Sequence, residues 1–363
     1  MFKIKDSIDI YTIQDNILLF YFINTRRLME YKVNEKTINL IKLIDGEKDS
    51  KEIAEVYNQE NNSEISVETV NKIMKFLVSI NVVVEKKHNI IVDKRYERQI
   101  NYLSEFNIGE CAGINNQKKI EDSKIVIFGV GAMGGDIALL LAMAGVENFI
   151  ILDFKKVKES DKCRHMYYRK SHVGKSKVQA LKEEIQKINS KAKVKILFEK
   201  LIPNKNIDEL IKSSTFVINT ADEPYIGYTS LKISKKCVEL RKPHYIAGGF
   251  NIHNMSTGEL IIPGKTPCVS CYMNYFEKAL KDWKPEQKKI RNEFIKYGGF
   301  ASQSLFSSSY AAVQIIKFIC GVKVEKNNYL TRGEMDIDTY KIKYLDVKKD
   351  PKCLVCGGIL DEA

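Results

Sequence analysis

The sequence lacks the features of a membrane or secreted protein. No apolar run approaches the roughly 18 residues that a membrane-spanning helix needs. No N-terminal segment has the basic, apolar and small-residue order of a signal peptide. We therefore expect a cytoplasmic protein with no membrane partner. In that reducing compartment its eight cysteines are expected to be thiols or metal ligands before disulfides.

The basic residues form no concentrated block. The 58 Lys and Arg outnumber the 46 Asp and Glu, for a formal net charge of +12, but the lysines are spread over all 363 residues. This distribution favours a solvated, lysine-rich surface over a nucleic-acid groove, although it would attract an acidic peptide or ATP. A hydrophobic content of 44% is ordinary for a globular chain, and the length allows two or three domains.

The densest pattern begins at residue 124. An apolar strand over 124–128 leads into a glycine turn, a helix over 134–143 and a second apolar strand over 149–152 that ends at Asp153. This order predicts the first half of a nucleotide-binding α/β domain with a parallel sheet.

The turn after the first strand has the spacing G-x-G-x-x-G. Gly129 allows the tight turn, Gly131 lets the backbone approach a phosphate, and Gly134 lets helix and strand pack closely. The helix N-terminus offers free N–H groups to an anion, and Asp153 is placed to bind ribose hydroxyls. Alone, this pattern fits NAD as readily as ATP.

The residues after Asp153 favour ATP. Arg164 and Lys177 follow one loop later, and two fixed cations suit a triphosphate better than a nicotinamide. Here the chain resembles the ThiF/MoeB superfamily of adenylating enzymes, which implies a Rossmann-like fold, a homodimer and a nucleotide site that includes Ser160 and Asp161. The matched positions are Asp153, Val157, Ser160, Arg164, Gly174 and Lys177, and the departures are Lys155, Asp161 and His165.

Two further positions match the same superfamily. The run Arg95-Tyr96-Glu97-Arg98-Gln99 resembles the segment that opens the adenylation domain, and the resemblance implies that Arg98 reaches across the dimer to the partner's nucleotide phosphates. Asp222 follows a predicted strand over 215–219, so its carboxylate faces the ligand-binding edge of the sheet. The resemblance implies that it binds the Mg²⁺ of ATP. Asp222 is also placed to be the N-cap of the following helix, a role that is compatible with binding Mg²⁺.

Two C-x-x-C pairs give the strongest sequence signal. Cys268 and Cys271 form one pair, and Cys353 and Cys356 form the other. Four thiolates in this arrangement are typical of a closed, structural Zn²⁺ site, with redox or disulfide chemistry as the alternative. A helix is predicted over 307–321, and a strand over 336–347 leads into the second pair.

Residues 1–90 are predicted to form a separate domain. Short strands precede three helices, which Asn34, Ser50 and Ser66 are placed to cap, and a strand closes the unit. This order predicts a small winged-helix-like α+β domain. It resembles the PqqD-like domains that recognise a leader peptide, which implies binding of a precursor peptide at an exposed strand edge. The alternative is a dimerisation or packing domain without a ligand.

Residues 91–363 are predicted to be the adenylation domain. Its YIAGGF run, IPGKTPCVSC segment and CLVCG tail resemble most closely the microcin C-type peptide adenylyltransferases. The resemblance implies ATP-dependent adenylation of the C-terminal carboxylate of a ribosomally made peptide. The alternatives are activation of a ubiquitin-like sulfur carrier, and a non-catalytic scaffold for a leader peptide in which Lys155, Asp161 and His165 mark a decayed nucleotide site. An NAD-dependent reductase is least favoured.

Overall fold

The chain forms two compact units, Met1–Lys119 and Ile120–Ala363. The computed structural model describes residues 1–13, 16–85, 93–106, 112–281, 299–322 and 332–358. Within those ranges, no helix combines the length and apolar character needed to cross a bilayer.

The first unit combines small antiparallel sheets with helices. The strands β2, β3 and β4 pair in that order, and β1 pairs with β5. Sheet and helices share one apolar core, in which Phe20, Tyr57 and Met74 are fully buried. The elements are β1 (Phe2–Ile4), β2 (Ile8–Ile13), β3 (Ile17–Phe22), β4 (Arg27–Lys32), α1 (Glu35–Lys42), α2 (Ser50–Asn61), α3 (Val67–Ser79), β5 (Val83–Glu85), α4 (Glu97–Leu103) and α5 (Ala112–Asp122).

The three helices α1 to α3 begin at side-chain caps. Asn34 and Ser66 cap α1 and α3, as predicted. The cap of α2 is Asp49, whereas the sequence predicted Ser50. The Asp49 carboxylate accepts two backbone N–H groups of the first turn, and Glu52 accepts the Asp49 N–H in return. This reciprocal capping box satisfies more of the free N–H groups than a serine hydroxyl at the next position would.

The chain after residue 93 packs within the first unit. Lys5 Nζ lies 2.7 Å from Glu105 Oε1, and both side chains are buried. Ser7 Oγ donates to the same carboxylate at 3.0 Å. These contacts join α4 and its following turn to the N-terminal strands. The domain boundary between residues 90 and 91 stays a prediction.

The second unit is built on a six-stranded sheet in the order β12-β10-β9-β6-β7-β8. The neighbouring strands pair in parallel except at β12, which is antiparallel to β10. This confirms the predicted Rossmann-like α/β fold. The elements are β6 (Lys124–Phe128), α6 (Ala132–Ala144), β7 (Asn148–Leu152), α7 (Lys177–Ile188), β8 (Lys193–Leu197), α8 (Asp208–Lys212), β9 (Phe216–Asn219), α9 (Ile226–Glu239), β10 (His244–Ile246), β11 (Asn254–Ser256), β12 (Glu259–Ile261), α10 (Val269–Ala279), α11 (Ala301–Ile319), β13 (Gly333–Asp336) and β14 (Ile342–Tyr344).

The central strands are continuously apolar because both faces of the sheet are covered. All of β9 is buried, as are the last four residues of both β6 and β7. The helix α11 lies against α6 and begins at Ala301, earlier than the predicted Ser307. Its first turns carry buried serines that bond to α6: Ser304 Oγ donates to Asp136 Oδ2 at 3.4 Å, and Ser308 Oγ to the Met133 carbonyl at 3.2 Å. Because the buried residues at its start are polar, the apolar pattern did not predict where this helix begins.

A small sheet in the order β11-β13-β14 completes the second unit. The predicted single strand over 336–347 is wrong, because the chain turns after β13 and returns antiparallel as β14. Asp336 Oδ1 accepts the Thr339 N–H at 2.7 Å, and Tyr340 adopts a positive φ of 56°. The aspartate side chain thus stabilises a tight turn in place of an extended strand.

Candidate functional site

A cavity of about 760 Å³ opens at the carboxyl ends of the sheet strands. We call it the carboxyl-edge cavity. It lies where β6, β7 and β9 end, which is the edge at which parallel α/β sheets bind ligands. The lining includes these residues singled out by the sequence: Gly129, Gly131, Asp153, Ser160, Asp161, Arg164, Lys177 and Asp222. The fold therefore brings most of the predicted nucleotide-site residues into one wall.

The three glycines of the turn meet different surroundings. Gly129 has a φ of +84°, and a Cβ there would lie 2.7 Å from the Ala221 nitrogen. A Cβ on Gly134 would lie 2.2 Å from the Gly129 carbonyl oxygen. A Cβ on Gly131 would meet nothing within 4 Å. The first and third glycines are thus required by close backbone packing, while the second leaves open space at the start of α6 for an anionic ligand.

The Asp153 carboxylate is fixed by the backbone on both sides. Its Oδ2 accepts the Val130 N–H of the glycine turn at 2.9 Å, and its Oδ1 accepts the Lys155 N–H at 2.8 Å. Each carboxylate oxygen can accept a second hydrogen bond. The side chain is therefore held in one orientation and can still accept bonds from ribose hydroxyls in the cavity.

Two loops pair to form the cationic side of the cavity. The Lys177 N–H donates to the Lys155 carbonyl at 2.9 Å, and the Val157 N–H donates to the Lys175 carbonyl at 2.9 Å. This pairing brings the first residue of α7 beside the loop that follows β7. Arg164 reaches the same cavity from that loop with an exposed side chain.

Lys177 forms an ion pair with Asp161, one of the residues that depart from the superfamily pattern. Its Nζ lies 3.1 Å from Asp161 Oδ1, and the lysine side chain is only 8% exposed. Burial acts to raise the pKa of Asp161, but the Lys158 N–H and the Lys177 ammonium outweigh it and lower that pKa. Asp161 is therefore an anion that orients the ammonium at the cavity wall.

His165 contacts Asp161 from the protein interior. The side chain is fully buried, and its Nδ1 lies 2.9 Å from the Asp161 carbonyl oxygen. The ring stacks on Tyr168 with centroids 4.6 Å apart. Burial, together with the charge of Lys177, lowers the pKa of His165 to about 4. His165 is therefore neutral at pH 7 and positions Asp161 without adding charge.

Asp222 extends from the loop after β9, with 75% of its side chain exposed. Lys155 Nζ lies 3.4 Å from Asp222 Oδ1 and 3.1 Å from Glu223 Oε1. Burial acts to lower the pKa of Lys155, but the two carboxylates outweigh it and raise that pKa. The predicted N-cap role of Asp222 is wrong, because α9 begins at Ile226 with Tyr225 at the cap position. An exposed carboxylate at this edge fits a hard divalent cation that keeps phosphate oxygens and waters as its other ligands.

Two residues that the sequence did not single out hold the Asp222 loop in place. Thr220 Oγ1 donates to the Gly129 carbonyl at 2.7 Å, which ties this loop to the glycine turn. The buried Asn219 accepts the Ala221 N–H at 3.1 Å and donates to Ser230 Oγ at 3.1 Å. Their only signal in the sequence is a pair of polar residues at the end of an apolar strand.

Arg98 lies on α4 of the first unit, where its side chain is exposed. It is a member of neither the glycine turn nor the two paired loops. Its contact with a partner's nucleotide stays a prediction.

The four cysteines of the two C-x-x-C pairs come together in a buried cluster. The sulfur separations are 4.0 Å for Cys268 and Cys271, 3.7 Å for Cys268 and Cys353, and 3.5 Å for Cys271 and Cys356. A tetrahedral Zn²⁺ with Zn–S bonds of about 2.3 Å requires sulfur separations of about 3.8 Å. The cluster therefore fits a four-thiolate metal site.

A family model and several known proteins match the chain. The model, described as the ThiF family, matches residues 96–355. Protein HesA, heterocyst, of Trichormus variabilis is 28% identical over 266 residues, which cover 73% of this chain and 89% of HesA. The adenylyltransferase and sulfurtransferase UBA4 of Lodderomyces elongisporus is 26% identical over 271 residues, which cover 73% of this chain and 54% of UBA4.

Among solved structures, E. coli MccB with AMPCPP and MccA has a TM-score of 0.70 and 20% sequence identity. The match covers 98% of this chain and 99% of MccB. MccB is also described as the microcin C7 biosynthetic enzyme in complex with N-formylated MccA. At this identity the likeness shows the fold, which extends over both units, while the family model shows the membership. The chain belongs to the ThiF family.

Proposed function

We propose that this protein, an adenylyltransferase of the ThiF family, transfers AMP from ATP to the C-terminal carboxylate of a ribosomally made peptide. The observation that carries the proposal is the carboxyl-edge cavity. In it the open glycine turn, the cations Arg164 and Lys177 and the exposed carboxylate of Asp222 face one volume of about 760 Å³. Similarity to MccB, whose structures contain MccA, favours a peptide as the acceptor.

The reaction is a displacement at the α-phosphorus. A carboxylate oxygen of the peptide forms a bond to that phosphorus, the bond to the bridging oxygen breaks, and pyrophosphate leaves. An α-carboxyl group has a pKa of about 3.5 in unstructured peptides, so it is already ionised at pH 7. The reaction therefore needs no general base, and the protein acts by positioning the reactants and stabilising charge.

The cavity residues divide these tasks. The start of α6 at Gly131 would bind a phosphate group through backbone N–H groups. Asp153 would accept the ribose hydroxyls, and Arg164 and Lys177 would offset charge on the phosphates as pyrophosphate leaves. Asp222 would hold Mg²⁺, which screens the phosphate charges when it is bound.

The four-cysteine cluster is proposed to hold Zn²⁺ in a structural role. Four thiolates complete a tetrahedral shell and leave no position for water, so no catalytic task is assigned to this metal. The cluster joins the start of α10 to residues 353–356, and its effect is to fix the end of the described chain.

We propose that the first unit recognises the precursor peptide. Among the described residues, β2 and β4 each pair only with β3, so each presents an outer edge. Side chains on both strands are exposed, including Tyr11, Ile13 and Leu28. An extended leader segment adding to one edge would gain main-chain hydrogen bonds and side-chain contacts. Homodimerisation, with Arg98 supplied to the partner's nucleotide, belongs to the same proposal.

A second candidate is activation of a sulfur-carrier protein ending in Gly-Gly. Similarity to the adenylyltransferase and sulfurtransferase UBA4 favours it, and the carboxylate chemistry would be the same. This second candidate assigns no function to the first unit. Binding of a leader peptide to the first unit separates the two candidates, because a sulfur carrier has no leader.

ATP–pyrophosphate exchange with peptides encoded beside the gene tests the proposed function. We expect exchange that depends on one such peptide, and a loss of about 10² or more in Arg164→Ala and Lys177→Ala, on the scale of lost oxyanion donors. Lys175→Ala is the matched control, because Lys175 pairs with Glu183 on the surface of the same segment. Wild-type exchange in both cavity variants would refute the assigned roles. Tight peptide binding without ATP binding would instead indicate a leader-binding scaffold.

A further inference from the structure

Lys155 places an ammonium group beside two carboxylates that line the carboxyl-edge cavity. Its Nζ lies between Asp222 Oδ1 at 3.4 Å and Glu223 Oε1 at 3.1 Å. All three residues line the cavity. The carboxylate proposed to hold a divalent cation is thus already paired with an ammonium group.

The backbone of Lys155 is fixed by hydrogen bonds, whereas its ammonium is held by two ion pairs. Its N–H donates to Asp153 Oδ1 at 2.8 Å, and its carbonyl accepts the Lys177 N–H at 2.9 Å. Its side chain is 37% exposed, and a solvent-exposed ion pair of this kind is weak and easily exchanged. The ammonium can therefore change partners without any movement of the loop.

A divalent cation and the Lys155 ammonium compete for Asp222. Two cations against one carboxylate repel each other, so the ammonium weakens binding of the metal for as long as it stays there. The triphosphate of ATP offers that ammonium another anion within the same cavity. Lys177, the first residue of α7, already lines the same cavity.

We propose that Lys155 couples metal binding to nucleotide binding. Without nucleotide its ammonium neutralises Asp222 and Glu223 and keeps a divalent cation off them. When ATP enters, the ammonium moves to the triphosphate and Asp222 becomes available to the cation. This inference rests on the proposed function for its nucleotide, and it assigns to Lys155 a positioning role that the resemblance to the superfamily does not supply.

The test measures Mn²⁺ binding without nucleotide, by electron paramagnetic resonance, in the full-length protein. Mn²⁺ prefers the oxygen ligands that Asp222 and Glu223 offer over thiolates. We expect Lys155→Met to bind Mn²⁺ about fivefold more tightly than wild type, the factor that about 1 kcal/mol represents, which is the upper end for an exposed ion pair. Lys200→Met is the matched control, because the Lys200 ammonium lies 5.2 Å from the Phe154 ring that Lys155 also approaches. The control is expected to bind Mn²⁺ as wild type does.

A second arm measures binding of ATP in buffer freed of divalent cations before use, with no chelator added, so that the proposed Zn²⁺ site stays occupied. Lys155→Met is expected to bind metal-free ATP at least about tenfold more weakly, because the triphosphate loses a cation. Lys155→Arg keeps the charge and is expected to remain near wild type in both arms. This variant also provides a folded comparison should Lys155→Met melt at a lower temperature.

Tighter Mn²⁺ binding together with weaker ATP binding in Lys155→Met supports the coupling. If Lys155 had only a structural role, its substitution would weaken binding of both ligands or of neither. Unchanged or weaker Mn²⁺ binding in Lys155→Met overturns the inference even when wild type binds ATP. Failure of wild type to bind ATP with or without Mg²⁺ overturns the proposed function. Because the Mn²⁺ arm contains no nucleotide, the two failures are distinguishable.

Discussion

At the scale of single residues, burial shifts the pKa values of two ionisable side chains of the second unit in opposite directions. Burial raises the pKa of Asp136 to about 7, although Ser304 opposes the shift. Burial and the charge of Lys177 lower the pKa of His165 to about 4. The stabilising effect of neutral Asp136 is therefore present at acidic pH and is lost as pH rises toward 7. The stabilising effect of neutral His165 is present above about pH 6.5 and is lost as pH falls toward 4.

Substitution of these two residues should change the pH dependence of stability in opposite directions. We expect His165→Gln to reduce the difference in unfolding free energy between pH 7 and pH 5 by about 2 kcal/mol relative to wild type. Asp136→Asn should make the same difference more positive by about 2 kcal/mol. The substitution removes the stabilising contribution of neutral Asp136, which decreases between pH 5 and pH 7. Urea denaturation at both pH values provides the measurement. Parallel changes in both variants would contradict the assigned protonation states.

The departures from the superfamily pattern are paired with each other and with retained positions. Lys155 contacts Asp222, Asp161 contacts Lys177, and His165 contacts Asp161. The sequence identified each of these residues as unusual but not its partner. Lys155 and Asp222 are far apart in the chain, and they come together only because β7 and β9 end on either side of β6 at the same edge of the sheet. Such contacts depend on the fold and have no local pattern.

At the scale of elements, the glycine turn separates a folding requirement from a binding requirement. Gly131→Ala should fold normally, because the added Cβ meets no atom within 4 Å and the backbone φ is −69°. It should bind ATP at least about tenfold more weakly, since the methyl group enters the space left for a phosphate. Gly134→Ala should lose stability, because its Cβ would overlap the Gly129 carbonyl.

Thermal melting and nucleotide titration of the two glycine variants make the measurement. Equal loss of stability in both would show that Gly131 is needed for packing. Unchanged ATP affinity in Gly131→Ala would show that phosphate does not approach the turn at this residue.

Local patterns predicted the elements that bear the site. The glycine spacing predicted the turn at Gly129, because few other residues accept its positive φ, and apolar runs predicted the buried strands. The errors fell where side-chain contacts set the boundary. The start of α11 was not predicted because it carries buried polar residues such as Ser304. The strand predicted from residue 336 is a hairpin because the Asp336 side chain stabilises a turn.

At the scale of the whole molecule, the four-cysteine cluster joins distant parts of the second unit. Metal removal is expected to leave four buried thiols and to release residues 353–356 from α10. Cys353→Ser or treatment with a zinc chelator should lower the melting temperature by at least about 5 °C, since the binding free energy of a structural metal contributes to folding.

Metal analysis and thermal melting test this expectation. Cys163→Ser is the control, because Cys163 is exposed and lies outside the cluster. Near-stoichiometric zinc in wild type and in Cys163→Ser, with its loss in Cys353→Ser, supports the structural site. Purified protein without zinc would contradict it.

The central claim is that the acceptor is the C-terminal carboxylate of a peptide, and one measurement tests it most directly. ATP–pyrophosphate exchange is compared for a precursor peptide encoded beside the gene, made once as the free acid and once as the C-terminal amide. The account predicts Mg²⁺-dependent exchange with the acid and none with the amide, because only the acid supplies an ionised oxygen to attack the α-phosphorus. Equal exchange with both, or exchange only with a carrier protein ending in Gly-Gly, would contradict the account.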